Sequence, residues 1–427
     1  MKLFKSFSLY TIASFTEAAI AFLLLPLFTF YLTTKDFGTL SLLTSIFSFT
    51  MPLVALGAQG AISVAYFRED KANYPSYFSS AIFSPFISTL IIFSLVFVFG
   101  SFIGNYLKIS IYWIMCVPIF CFLSFFNNLV LVDFQIKKEP INYVVFSLSS
   151  STINVLLSLL LVIVFKFGYA GRLLGQYFSI FLFSLIGIFI LYKKRKILIK
   201  QINFKYVKDA LWFGFPLIPH AIGGMVINMS DRLFIDHFYS KEQLGIYNIG
   251  YVIGSAISIL STGFAQVIVP FSYELFAKNT VASKIKVVKV YWLFIALLAF
   301  VVFFVWLVTP LVFKWFIDPK FIEGSKYVIW ITVGYFFQGL YLLFANIIFY
   351  LKKTKVLFYV SFLNVFVNLS LNYFLIPWLG PIGAAYATCI SFFVFFVTVG
   401  GFCHSVYPLP WLGAFTKTTV DYDENYK

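Results

Sequence analysis

The stretch NMSDRLFIDHFYSKEQLGIYNIGY, from Asn228 to Tyr251, decides the fold. An apolar segment ends within it, a short polar loop follows, and a second apolar segment begins. The first segment carries an aspartate and an arginine side by side, although an ionised side chain near the centre of a bilayer costs about 2.5–3.5 kcal/mol on insertion scales. Such charges indicate a binding or structural role inside a bundle of membrane helices.

The composition places the whole chain in a membrane. Of its 427 residues, 61% are hydrophobic and 11% are charged, and the mean hydropathy is +0.94. Soluble domains average about 45–50% apolar and about 25% charged residues. The apolar runs are long enough for helices that span a hydrocarbon core of about 30 Å, and they lack the alternation of a membrane β-barrel. The sequence therefore predicts an all-α integral membrane protein.

The apolar runs predict about twelve transmembrane helices. The predicted spans are 7–31, 40–66, 78–101, 110–134, 142–166, 169–192, 212–237, 244–270, 288–313, 326–350, 356–376 and 381–404.

The formal net charge of +15 comes from basic residues in the short loops between these spans. Lysine and arginine concentrate in alternate loops, which predicts a multi-pass protein with both termini in the cytoplasm. No segment has the size or polarity of a nucleic-acid-binding domain. The four cysteines lie in apolar segments without metal-ligand spacing, so neither a zinc site nor a disulfide framework is indicated.

The longest internal polar break, KKRKILIKQINFKYVKDA (193–210), follows the sixth span. It predicts an N-terminal lobe over 1–192, a basic cytoplasmic linker over 193–211, a C-terminal lobe over 212–404 and a cytoplasmic tail over 405–427. The lobes resemble each other, because YLTTKDFGTLSL (31–42) aligns with FYSKEQLGIYNI (238–249), and GYAGRLLGQYFS (168–179) aligns with GPIGAAYATCIS (380–391). Parallel repeats around a site near the bilayer midplane are a recurring transporter architecture.

Three segments carry a resemblance to a known family: NMSDRLFIDHFYSKEQLGIYNIGYVIGSA (228–256), LLLPLFTFYLTTKDFGTLSL (23–42) and VNLSLNYFLIPWLGPIGAAYATCIS (367–391). They resemble polysaccharide exporters of the multidrug/oligosaccharidyl-lipid/polysaccharide (MOP) superfamily, and within it the O-antigen (Wzx-type) flippases. The resemblance implies a MATE-like fold of two six-helix lobes and alternating-access transport of undecaprenyl-diphosphate-linked oligosaccharide across the bacterial inner membrane. It also implies membrane lipids, a polysaccharide polymerase and chain-length machinery as partners.

The hypothesis for the substrate site is a cationic cavity formed by Arg232, Arg172, His220 and Asn228. Arginine presents a planar fork of donors that binds diphosphate in a bidentate manner, which lysine cannot do. Three alternatives stay open: an internal salt bridge of Arg232 to Asp231 or Asp236, an interfacial anchor at Arg172 that reaches phospholipid head groups, and a satisfied polar residue at His220.

The carboxylates Glu17, Asp231 and Asp236 are candidates for ion coupling or for locking the lobes together. Glu17 lies near the middle of the first predicted span, where a desolvated carboxylate suits coupling to H⁺ or Na⁺. The alternative is a hydrogen-bonded acid that fixes the first helix to a neighbour. No other cofactor and no metal site is expected.

Two other functions are alternatives to the flippase. A multidrug or ion exporter, or a lipid II flippase, would belong to the same superfamily. A membrane polymerase or glycosyltransferase would need a large extramembrane loop or a catalytic cluster, and the sequence has neither a P-loop nor a GxSxG motif. The sequence therefore predicts a transporter rather than an enzyme.

Overall fold

The computed structural model describes residues 2–69, 73–198, 201–351, 353 and 355–412, and within these ranges all regular structure is helical. The α-helices are α1 (Lys2–Tyr31), α2 (Thr34–Ala55), α3 (Ala58–Arg68), α4 (Tyr74–Leu107), α5 (Ile111–Ile136), α6 (Pro140–Leu159), α7 (Gly168–Phe189), α8 (Phe204–Gly214), α9 (Leu217–Phe238), α10 (Lys241–Lys278), α11 (Val281–Trp315), α12 (Ser325–Tyr350), α13 (Lys355–Leu379) and α14 (Ile382–Val406). Helices α6 and α7 continue into single π-helical turns at Leu160–Val164 and Ile190–Lys194, and a 3₁₀ helix covers Pro319–Gly324.

Within the described residues, ten helical segments are long and apolar enough to cross a membrane. The pair α8 and α9, which meet at a bend of 41°, counts as an eleventh only if the two helices cross as one span. The apolar part of α1, Phe15–Tyr31, is shorter and coincides with the first predicted span. This confirms the prediction of an all-α membrane protein with about twelve spans. The orientation with both termini in the cytoplasm stays a prediction.

The second predicted span, 40–66, is broken in the structure. Helix α2 begins after Thr33, whose side chain forms a capping box with Asp36, and it ends at Leu56 in the left-handed conformation (φ 48°). Gly57 also has a positive φ, of 69°, before α3 begins. A side chain at Gly57 would collide with the backbone of Gly214, so glycine is needed there both for its conformation and for the close approach of α8.

By packing, the chain divides into one unit over Met1–Gly245 and a second over Ile246–Lys427. Helix α9, which the repeat places at the head of the second lobe, packs with the first unit, where it contacts α2. The lobe boundaries at 192 and 212 rest on the sequence repeat and stay a prediction. The predicted linker 193–211 contains most of α8.

Each unit has its own interior. In the first unit, α5 packs between α2, α4 and α7, and the apolar cluster includes Phe78, Phe125 and Leu129. In the second unit, α14 packs against α12 and α13. A hydrogen bond from Asn368 Nδ2 to Ser391 Oγ, 3.2 Å long, joins α13 to α14 inside that interior.

Candidate functional site

Arg232 is buried in the first unit, with 5% of its surface exposed. Its Nε donates to Ser41 Oγ on α2 at 3.0 Å, and its Nη1 donates to the carbonyl oxygen of Asn228 at 2.6 Å. Nη1 also lies 3.2 Å from Oδ1 of Asp231, which is 1% exposed and accepts the backbone N–H of Arg232 as well. A buried cation persists only when it is paired and hydrogen-bonded, and this guanidinium meets both conditions.

Through these contacts Arg232 joins α9 to α2. Asn228 is part of this arrangement, because its carbonyl accepts from Arg232 while its side-chain amide donates to the carbonyl of Gly224 at 2.7 Å. The structure therefore groups three predicted site residues, Asn228, Asp231 and Arg232, on one stretch of α9. The internal pairing with Asp231 is the geometry that the sequence left open as an alternative to substrate binding. The side chain of His220 lies outside the described residues.

Arg172 forms its hydrogen bonds with side chains of α6. Its Nη1 donates to Asn154 Oδ1 at 2.8 Å and to Ser158 Oγ at 3.0 Å, and its guanidinium carbon lies 5.4 Å from the centre of the Phe28 ring of α1. The helices approach closely because Gly175 faces Ser158, where a Cβ would lie under 3.0 Å from the backbone. The glycine pattern at the start of α7 thus positions the arginine.

The charge of Arg172 has no carboxylate partner among the residues that the structure describes. Both of its hydrogen bonds use Nη1 and neutral oxygen acceptors, and Nε and Nη2 make no hydrogen bond to any described residue. This differs from Arg232, whose charge is compensated by Asp231. Of the two arginines, Arg172 therefore retains more capacity to bind an anion.

The remaining candidate carboxylates are Glu17 and Asp236. Glu17 is partly exposed on α1. Asp236 lines a cavity of about 300 Å³ with Lys35, Lys108 and Lys241 at one end of the first unit. Neither position tests the proposed role in ion coupling.

Lys241 is a structural residue that sequence reasoning counted only as a loop charge. It is buried, and its Nζ donates to the carbonyl oxygens of Leu107 and of Lys108, the latter at 2.7 Å. The side chain thereby satisfies carbonyl groups at the C-terminal end of α4, which have no partner within the helix. A basic residue in a loop gives no sequence signal for such long-range capping.

A second missed feature is an ion-pair cluster at the C-terminal ends of α5 and α7. Asp133, whose side chain is 1% exposed, lies 2.6 Å from Lys137 Nζ and 2.8 Å from Arg195 Nε, and Nη2 of Arg195 lies 2.5 Å from Glu139 Oε2. Partial burial alone would raise the pKa of Glu139, but hydrogen bonds from Arg195 and Asn142 outweigh it and lower that pKa. Burial alone would likewise lower the pKa of Arg195, and the carboxylates raise it.

Within the described residues, no group of three or more His, Cys, Asp or Glu side chains is arranged to hold a metal ion, and all four cysteines are free thiols. The described arrangement offers ionic and hydrogen-bonding contacts. It consists of two guanidinium groups held within helices, one of them without a counter-ion among the described residues.

Comparisons with known proteins agree with this architecture. Residues 3–276 match the family described as polysaccharide biosynthesis protein, and residues 216–374 match the family described as MatE. A Haemophilus influenzae protein named for the Lsg locus is 24% identical over 411 residues, which cover 92% of this chain and 98% of the relative.

Two solved structures share the fold at low sequence identity. An inward-facing multidrug resistance MATE family transporter of the MOP superfamily aligns with a TM-score of 0.72 and 13% identity, covering 91% of this chain and 94% of that one. The lipid II flippase MurJ, in an inward closed conformation, aligns with a TM-score of 0.71 and 16% identity, covering 92% and 86% of the two chains. Because the first family match covers more than half of the chain, this protein belongs to the polysaccharide biosynthesis protein family and has the fold of the MOP-superfamily transporters.

Proposed function

We propose that this protein is a flippase that moves an undecaprenyl-diphosphate-linked oligosaccharide, such as an O-antigen repeat unit, across the bacterial inner membrane by alternating access. The observation that carries the proposal is Arg172, an arginine within a membrane helix whose charge has no carboxylate partner among the described residues. A diphosphate offers pairs of oxygen atoms that the planar guanidinium binds in a bidentate manner. The family match over residues 3–276 supports a substrate of polysaccharide assembly.

In this mechanism Arg172 binds the diphosphate through Nε and Nη2, while Asn154 and Ser158 hold Nη1 in place. Arg232 fixes α9 to α2, and Arg232, Asn228 and His220 are further candidates for the cavity. Glu17, Asp231 and Asp236 are the candidates for coupling to H⁺ or Na⁺ or for locking the helices. A polysaccharide polymerase and chain-length machinery would act on the delivered oligosaccharide.

The test is transport in liposomes that contain an undecaprenyl-diphosphate-linked oligosaccharide, scored by the fraction of glycan that a membrane-impermeant glycosidase reaches. We expect protein-dependent exposure that falls at least tenfold in Arg172→Gln, equivalent to about 1.4 kcal/mol, and less in Arg172→Lys, which keeps the charge without the planar fork. Wild-type transport by a correctly inserted Arg172→Gln would contradict the role of this arginine, and normal export by a correctly inserted Arg232→Gln would remove Arg232 from the cavity.

A second candidate function is a multidrug or ion exporter, or a lipid II flippase. The match of residues 216–374 to the MatE family favours the exporter, and the likeness to MurJ is equally compatible with lipid II. Liposomes loaded with lipid II or with a fluorescent cationic drug distinguish these substrates in the same assay. Transport of the drug without exposure of any glycan would replace the flippase by the exporter.

A further inference from the structure

Helix α8 is amphipathic and lies within the most basic loop of the chain. Its inner face, with Val207, Ala210 and Gly214, is buried against α3 and α4. Its outer face carries Phe204, Lys208 and Trp212 at intervals of four residues, and all three are exposed. An apolar and aromatic face with lysines at its edge is typical of a helix that lies in the interface of a membrane.

Polar contacts fix α8 in place on α4. Asn203 caps the helix by accepting from the backbone N–H of Lys205, and its own N–H donates to Ser80 Oγ at 2.9 Å. The hydroxyl of Tyr77 donates to Asp209 Oδ2 at 2.8 Å. These hydrogen bonds hold α8 against α4, and the bond from Tyr77 directs the acidic residue of the helix, Asp209, toward α4.

A groove of about 660 Å³ runs between α8 and α4. Phe83, Ile87 and Ile91 of α4 form one wall, and Leu211 and Trp212 of α8 form the other. Its two serines are already bonded, Ser84 to the carbonyl of Ala81 and Ser88 to the carbonyl of Leu53. Among the lining residues the one charge is Lys208.

We propose that this groove binds one anionic glycerophospholipid, with an acyl chain between α4 and α8 and its phosphate at Lys208. An apolar groove that faces a bilayer gains dispersion contacts when a hydrocarbon chain fills it, whereas an empty one forfeits them. The charge selects the head group, because Lys208 is unopposed by any acidic lining residue and the loop around it is strongly basic. The site is separate from Arg172 and does not depend on the proposed function.

The test is native mass spectrometry of the detergent-purified protein titrated with phosphatidylglycerol or phosphatidylethanolamine of identical acyl chains. We expect one phosphatidylglycerol to bind more tightly than any further lipid and more tightly than phosphatidylethanolamine. Lys208→Gln should weaken this first binding about fivefold, because a lysine near an anionic head group contributes about 1 kcal/mol. The matched control is Lys205→Gln, an exposed lysine of the same helix outside the groove, which should bind as wild type does.

A second pair of variants tests the acyl chain. Ile87→Trp, which fills the groove, should abolish the tight binding, whereas Leu95→Trp, on the exposed surface of α4 beyond the groove, should keep it. The proposal would be overturned if Lys208→Gln and Lys205→Gln weakened phosphatidylglycerol binding equally, or if a folded Ile87→Trp still bound the lipid tightly. It would also be overturned if less than one equivalent of undecaprenyl phosphate displaced the bound phosphatidylglycerol.

A third measurement uses a conservative substitution in the groove wall. Phosphatidylglycerol with brominated acyl chains should quench the emission of Trp212, seen as the difference between wild type and Trp212→Phe. Trp212 is 73% exposed, so its replacement by phenylalanine should leave the fold intact. Equal fractional quenching of both proteins at one equivalent of lipid would place the lipid elsewhere.

Discussion

Asp133 shows how much a single buried charge can organise. It lies at the end of α5, almost inaccessible to solvent, and pairs with Lys137 of the following turn and with Arg195 after α7. Arg195 in turn reaches Glu139 at the start of α6. Removing one member of a buried pair is strongly destabilising, because it leaves the partner uncompensated. The cluster therefore ties together the ends of three helices of the first unit.

The pH dependence of stability should reveal the Glu139 member of this cluster. Its pKa is lowered below the ordinary value of about 4.5, so its contribution is complete above that value and is lost as the pH falls through the lowered pKa. Glu139→Gln should reduce the free energy of unfolding by about 1.5 kcal/mol near pH 7, the lower end of the range for a hydrogen bond to a charged group, because Glu139 is partly exposed. Thermal unfolding in detergent from about pH 7 to about pH 3 should show this difference shrink toward zero.

The control for this experiment is Glu323→Gln. Glu323 pairs with Lys326 at 3.2 Å, but both side chains are about half exposed, and exposed pairs contribute little. The role of the Glu139 ion pair would be contradicted if Glu323→Gln lowered the free energy of unfolding as much as Glu139→Gln does. It would also be contradicted if the destabilisation by Glu139→Gln grew as the pH falls.

At the scale of single residues, the sequence predicts only some of the contacts that these charged side chains make. The adjacency of Asp231 and Arg232 was enough to raise their pairing as an alternative, because neighbours in sequence are always close. Asn154 and Ser158, the partners of Arg172, lie 18 and 14 residues away on another helix. No pattern in the sequence identifies them, since their role depends on how closely Gly175 lets α7 approach α6.

At the scale of the elements, the starts of α2 and α10 cross with direct backbone contact. A Cβ at Gly38 would lie under 3.0 Å from the carbonyl of Lys241, and a Cβ at Gly245 would collide with the carbonyl of Thr34. The aligned segments 31–42 and 238–249 match Gly38 with Gly245 and Thr34 with Lys241. Gly38 contacts Lys241, and its counterpart Gly245 contacts Thr34, the counterpart of Lys241. The contact is the internal counterpart of an isologous interface.

Gly38→Ala and Gly245→Ala should each destabilise the protein by about 1–3 kcal/mol or more, because a methyl group at either position must push two helix backbones apart. Thermal unfolding of the purified variants measures the effect. Gly224→Ala is the matched control, because a Cβ there has no atom within 4 Å and a helical alanine is favoured over glycine. If either crossing variant were as stable as the control, the helices would not be in contact at these glycines.

The repeat predicted that these segments are equivalent, but not that they touch. Sequence similarity reports a shared local structure, a short polar loop followed by a helix with glycine in its first turns. Contact between the two copies depends on the positions of all the intervening helices, and the alignment contains no information about them. The break at Leu56 and Gly57 was missed for a related reason, because a predicted span of continuous apolar residues does not reveal a backbone turn within it.

At the scale of the whole molecule, the length of the apolar segments predicts the membrane helices, whereas the orientation inferred from the basic residues stays a prediction. Each predicted span corresponds to a helical segment, because a hydrocarbon layer leaves the backbone few other ways to satisfy its hydrogen bonds. Helices α10 and α11 extend well beyond the predicted spans, since their ends carry lysines that a hydropathy argument excludes. The orientation depends on where those lysines lie relative to the membrane.

The distribution of basic residues predicts that the termini and the loop around α8 face the cytoplasm. Truncated chains fused to green fluorescent protein or alkaline phosphatase test this, with the reporter after Lys196, Ser240 or Lys427. We expect fluorescence without phosphatase activity at Lys196 and Lys427, and phosphatase activity at Ser240, because a lysine-rich loop resists translocation while the loop near Ser240 carries few basic residues. The opposite pattern would reverse the orientation. Phosphatase activity at Lys427 but not at Lys196 would require an odd number of spans after the basic loop, which two equivalent six-helix lobes cannot provide.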